Sequence, residues 1–520
     1  FTNLASAQVG TCEPALGQGI LDTGNVRASI YNNGGLFWRG GAPVYQIPKD
    51  GDVSAIFAAT IWVGGLIEGE LRTAATNYGN WEFWAGPLDE NGNPPALCKP
   101  YDKVWKISKE DITSFLTTGY TSNNLKNWPW HLGAPVVDGD GDPDNYNLQG
   151  GDVPELFGDQ RLWWVMNDRG NVHERTETEP IGLEAQGSVH AFNHRGFGGN
   201  ITFYSYELIN KNTAPLTDAY FGLFTDIDLG NFDDDYVGSD SLLHLGYAYN
   251  SDNEDEGGYG EAPPAIGFTF FETILADLDG LDNDYDGVFD EPGEKMGASS
   301  VMEFYGGGGV TGDPNAASDF YNYMQALWKD GQPVTLGGYG RHFSNTPTKF
   351  SFSGDPVTRS FWSEFNSDGN RSPTGRGDRD LLTSTGPFSI TSGDTLNIRF
   401  AIVWSQGKDH LDSVTRLKGD VRILQVNPSA YYTPFSQMEE ESVVDPTFVL
   451  SFAPNFPNPF AGSTTLRYSL PQSMQVRLAV YDILGREVEV LVDQQQEAGI
   501  YTVNFEADAL PSGIYMARIE

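Results

Sequence analysis

Residues 200–210, NITFYSYELIN, and residues 395–404, TLNIRFAIVW, crowd β-branched and aromatic side chains into short alternating runs bounded by Gly, Asn, Asp or Pro. A period of two belongs to strands that turn one face to a core, so both runs are predicted as strands of antiparallel sandwiches. Aromatic residues make up 13% of the 520-residue chain, and 61 Gly and 30 Pro break it into short elements. That balance favours many strands and turns and excludes disorder of the whole chain.

Three segments carry a helical period instead. Ser108 to Asp111 is an N-cap signature opening ITSFLTTG, which ends near Gly119. In DPNAASDFYNYMQALWKDG, Asp313 caps, Pro314 takes the first turn, and Phe320, Tyr323, Met324, Leu327 and Trp328 share a face. From Asp409, Leu411, Val414, Leu417, Val421 and Leu424 recur at three- and four-residue spacing until Pro428. The expected fold class is mainly β: multi-domain antiparallel β-sandwiches with a few short helices and a C-terminal Ig-like β-sandwich. The expected division is a β-rich body over 1–430 with two or more sub-domains, an acidic Pro-flanked linker over 431–453, and a C-terminal module over 454–520.

Lys and Arg number 31 against 71 Asp and Glu, a formal net charge of −40. Such a field repels nucleic acid and anionic membrane surfaces and concentrates cations. The longest apolar run, AIFAATIWVGGLI at 55–67, is too short and Gly-broken to span a bilayer. No membrane insertion is expected. The chain opens at Phe1 without Met or a basic leader, which reads as a mature form after loss of a targeting peptide. Cys12 and Cys98 allow one disulfide in an oxidising compartment, or remain two buried thiols. Bonded, they close a loop whose chain entropy is worth roughly 4.6 kcal/mol.

The strongest local chemistry lies in acidic loops. VVDGDGDPDN places Asp138, Asp140, Asp142 and Asp144 at every second position, and LDNDYDGVFDEPGE places Asp282, Asp284, Asp286, Asp290, Glu291 and Glu294. Alternate carboxylates with Gly between them let a short loop wrap a hard cation with several oxygens, the coordination calcium prefers. The second loop follows the first half of an EF-hand loop but has Gly293 where the bidentate Glu belongs. An isolated calcium loop between strands fits better. TDIDLGNFDDDYVGSD adds Asp226, Asp228, Asp233 and Asp235. Calcium is the expected cofactor, as a staple that relieves repulsion between these carboxylates. A site with a dissociation constant near 0.1 mM would add roughly 1.4 kcal/mol in millimolar calcium.

Catalytic motifs find little support. His190 and His194 have ligand-like spacing, but in strand-like, Gly-rich sequence. Gly306 to Gly309 lacks the Lys and helix of a phosphate loop. Carboxylate pairs for glycoside hydrolysis depend on separation in space. Trp81, Trp84, Trp128, Trp130, Trp163 and Trp164 suit a sugar-stacking platform or, more simply, sandwich cores. Arg376-Gly377-Asp378 matches an adhesion tripeptide, which three residues in 520 do not support.

From Pro454 the chain carries NFPNPF at 455–460, YDILGREV at 481–488 and LPSGIY at 510–515 in order. These motifs resemble the type A C-terminal sorting domain of type IX secretion substrates. The resemblance implies passage through a Gram-negative envelope, engagement of the type IX machinery, and an extracellular or outer-surface location. The stretches VRASIYNNGGLFW, FAATIWVGGL, DIDLGNFDDDYVGSD and STGPFSITSGDTLNIRFAIVWSQG resemble large uncharacterised secreted proteins with the same tail, a likeness that brings no activity. The function expected is a secreted, calcium-stabilised structural protein that self-associates into a filament, sheath or layer, with no catalytic residue assigned. The alternative is a secreted glycan-binding protein or glycoside hydrolase acting on a surface glycan.

Overall fold

The computed structural model describes residues 9–519 apart from 195–196, 272–273, 276–294, 427, 435–450, 457–459, 461, 471–472, 483–485, 498, 508–509 and 512. Five long strands organise the body: β1 (Ala58–Ile67), β2 (Ile201–Asn210), β3 (Leu216–Ile227), β4 (Arg379–Ile390) and β5 (Thr395–Ser405). The two runs with the clearest alternation form β2 and β5, which pair antiparallel with Ile201 opposite Val403 and Ile209 opposite Thr395. They are central in a nine-stranded sheet ordered Asp235–Asp240, Leu245–Asn250, Ala265–Phe270, β5, β2, Leu183–Ala191, Gln160–Asn167, Trp84–Ala85, with Trp105–Ser108 also on Gln160–Asn167. A second nine-stranded sheet runs Gln18–Thr23, Val26–Tyr31, Gly35–Leu36, β1, β3, β4, Ser300–Phe304, with Tyr45–Gln46 and Glu70–Ala74 off this path. The body is thus mainly antiparallel β, as the period of two requires.

The sheets face each other across an aromatic core. Phe400 of β5 stacks on Tyr204 of β2 at 4.8 Å and meets Phe270 at 5.4 Å. From the opposite sheet, Phe221 of β3 comes within 5.5 Å of Tyr206 and 6.5 Å of Phe400. One pair of polar tips inside is satisfied across the core: the Tyr45 and Thr202 hydroxyls bond at 2.9 Å.

Both outer faces are also covered, which explains strands apolar on both sides. In Gln160–Asn167, Trp164 enters the main core while Trp163 packs beneath α1 (Lys109–Thr118) and the short α2 (Asn123–Lys126). The α1 cap forms as its motif predicts: the Ser108 hydroxyl accepts from the Asp111 N–H at 3.2 Å, and Asp111 accepts from the Ser108 N–H at 3.1 Å. α3 (Ala317–Met324) lays Phe320 against Trp62 of β1, which stacks on Phe224 of β3 at 5.4 Å. This helix is shorter than its apolar stripe. Asp319, not Asp313, accepts the leading N–H groups of Asn315 and Ala316, so the chain turns helical later, and Trp328 reaches the core from beyond the helix. α4 (His410–Val426) covers the β2–β5 sheet with Val414, Leu417, Val421 and Leu424.

Cys12 and Cys98 are disulfide-bonded, with Cα atoms 5.6 Å apart, beside Trp84. The C-terminal module has its own core, in which Leu466, Tyr468, Val476, Leu478, Val480 and Phe505 lie between two three-stranded sheets. Its Arg467 reaches α4, pairing with Asp420 and donating to the Arg416 carbonyl at 3.0 Å. No described helix is long and apolar enough to cross a membrane.

Replacing Phe400 with Ala should open a cavity where both sheets meet and lower the unfolding free energy by about 3–5 kcal/mol, read as a shifted urea midpoint.

Candidate cation sites

The Asp138 loop grows from a small hairpin. Val137 pairs with Val153, so Asp138 and Asp152 leave the ladder side by side. Gly139 permits the crossing that follows, because a Cβ there would lie 2.3 Å from the Gly151 carbonyl carbon. Asp152 is 1% exposed and accepts the N–H groups of Gly139 at 2.9 Å and Asn147 at 2.6 Å. One oxygen each of Asp138, Asp140 and Asp152 falls within 4.8 Å of the others. Two oxygens on opposite sides of one calcium ion stand about 5 Å apart, so the group spans a single ion. The Asn147 amide donates to Asp140 at 2.8 Å and holds its carboxyl below the usual range. Asp142 and Asp144 stay outside the group: Asp142 accepts the Asp144 N–H at 3.2 Å within an exposed turn.

A second group lies where β3 and β4 end together. Asp226 stands opposite Asp380 and Ile227 opposite Arg379, and Asp228 and Asp378 follow just beyond. One oxygen each of Asp226, Asp228 and Asp378 falls within 4.8 Å of the others. The Tyr78 hydroxyl donates to Asp226 at 2.6 Å. Burial pushes Asp226 up to about 6 and Asp228 up to about 7, with neighbouring carboxylates adding to the rise. Burial raises Asp378 too, against the pull of Arg379. Arg379 turns to the other face, donating to Glu364 at 2.9 Å and approaching Glu303 at 3.8 Å, which anchors the start of β4.

The other sequence candidates separate. Asp233 is exposed, and Asp235 is fully buried in its strand, accepting the Leu229 N–H at 3.1 Å, its carboxyl raised well above the ordinary range by burial. Neither joins the Asp226 group. Asp282, Asp284, Asp286, Asp290, Glu291 and Glu294 lie outside the described residues, between Ile274–Leu275 and Lys295–Met296, which pair antiparallel. Trp84, Trp128, Trp163 and Trp164 are buried in cores and form no platform. Sequence reasoning missed Asp152, Asp378 and Asp380. Val136 and Val153 flank the first as a hairpin signal; Asp378 lay inside the tripeptide set aside as chance.

Residues 455–520 match the secretion system C-terminal sorting domain family. No curated protein matches the chain. Among solved structures, a polysaccharide lyase aligns at 8% identity with a TM-score of 0.19, covering 66% of this chain and 34% of that one. The chain therefore spans about a third of that structure, and a score so low carries no weight for fold or function. The tail makes the chain a type IX secretion substrate that engages the secretion machinery and is exported to the cell surface or beyond in a Gram-negative bacterium.

A carboxyl whose folded pKa is raised stabilises the fold below its unfolded value and loses that contribution as pH rises through the folded value. For Asp226 and Asp228 the loss runs from about pH 4 to about pH 7. In excess chelator the melting temperature should fall across this window, and less steeply in Asp228→Asn; equal slopes would contradict the assignment.

Proposed function

We propose that this exported protein is a calcium-stabilised structural component of the cell surface or extracellular space, self-associating into a filament, sheath or layer. The observation that carries the reading is the convergence of Asp138, Asp140 and the buried Asp152 on a space that fits one ion. Calcium there would tie both ends of a fifteen-residue loop (residues 138–152) without chemistry. The histidines support a structural use: His173 lies buried between the carbonyls of Thr73 at 2.9 Å and Asp168 at 2.7 Å, and His190 against that of Tyr431 at 2.8 Å. Self-association is supported by the sorting module, where Glu487–Gln496 and Tyr515–Ile519 each pair along one edge among the described residues.

A second reading, binding or hydrolysis of a glycan, is favoured by one feature. Tyr78 is 42% exposed, meets Trp38 edge-on at 6.1 Å, and borders Asp226, so an aromatic pair flanks acids of raised pKa.

Light scattering and electron microscopy of the native protein, in millimolar calcium and then in excess chelator, test the first reading. Regular assemblies that loosen in chelator are expected. A calcium-indifferent monomer overturns it, and reducing ends released from a polysaccharide panel, lost in Asp226→Asn, would establish the second.

A further inference from the structure

We propose that Asp226, Asp228 and Asp378 hold one hard divalent cation at the end of the β3–β4 ladder, on the outer face of that sheet, with the carboxyl of Asp380 beside them. Clustered carboxylates alone do not make a site; the deciding observation is Asp380. It is 6% exposed, and its buried Oδ1 has no hydrogen-bond partner. Directly opposite residues of an antiparallel pair project to the same side, so Asp380 and Asp226 share a face. Asp228 and Asp378, just beyond the paired residues, each bring an oxygen within 4.8 Å of Asp226.

The charges that act most strongly on Asp380 are Asp226, Asp378, Asp313 and Glu303, every one a carboxylate. Its carboxyl therefore stands in a negative recess, where a buried anion is costly unless paired or close to a metal. One residue away, on the opposite face, Arg379 answers the buried Glu364 with a direct hydrogen bond at 2.9 Å. The outer face has an oxygen set in place of a guanidinium.

Carboxylates with a Tyr hydroxyl beside them are hard ligands, which selects an alkaline-earth ion over zinc or copper. Their uneven depth, from buried Asp226 to exposed Asp378, suits the flexible coordination of calcium better than the octahedron magnesium demands. Asp378 gives the ion a way in from solvent. The site stands apart from the structural reading, since an enzyme could hold the same ion.

Terbium, a luminescent stand-in for calcium, is the probe, added to the whole chain carrying Asp140→Asn to weaken the loop site. Tyr78 and Trp38 should sensitise its emission, and calcium should compete. Asp378→Asn, at an exposed position that preserves folding, should remove one bound equivalent or weaken it about tenfold or more, because ligand charge count sets affinity. Asp228→Asn should do the same, and the double variant should lose no second ion. An Asp378→Asn chain that binds as many ions as tightly as its parent overturns the site. Loss of the ion with calcium-dependent assembly unchanged upholds the site, and shows that any assembly staple lies elsewhere.

Discussion

The register between β3 and β4 is the constraint on which the rest depends. With Asp226 opposite Asp380 and Leu223 opposite Thr383, the odd positions of β3 from Phe221 onward enter the core between the sheets and the even positions face outward. Phe221 and Leu223 then meet the β2–β5 sheet, Phe224 stacks on Trp62 under α3, and the next even position presents Asp226. A slip of one residue would send every one of these side chains to the wrong face, so the apolar packing that stabilises the sandwich also fixes the geometry of the carboxylates.

That coupling explains how a chain of charge −40 tolerates acids inside its fold. Two like unit charges about 5 Å apart repel by about 3 kcal/mol at an effective dielectric near 20. Desolvation adds to this, as the raised carboxyls of Asp226, Asp228 and Asp380 record. A guanidinium, a proton or a metal ion can offset the cost. Arg379 supplies the first on one face of β4; on the other face, the second or third must serve.

The compartment fits this chemistry. The sorting tail carries the chain outside the cytoplasm, where disulfides persist and calcium-binding modules work with weak sites. The Cys12–Cys98 bond fixes the segment ahead of the first strand to the region beside Trp84. The sorting module keeps a core of its own, as a unit read by the export machinery requires.

The sequence by itself determined the mainly β class, because period-two runs such as 200–210 admit only one face per side-chain set. It also determined the capped helix at Ser108 and the C-terminal module, both carried by local patterns or by motifs, while the bond between Cys12 and Cys98, left open against two free thiols, was decided by the fold. Two of the three members of each acidic group were legible for the same reason: Asp138 with Asp140, and Asp226 with Asp228, sit two residues apart on one stretch of chain. Their partners were decided by tertiary structure alone. Asp152 arrives across a hairpin, and Asp378 arrives at the start of a strand more than a hundred residues away, joined to β3 by backbone hydrogen bonds whose register no local pattern encodes. The early end of α3 belongs there too, since its apolar stripe runs on past Met324 and only packing beneath the sheet shows where the helix stops.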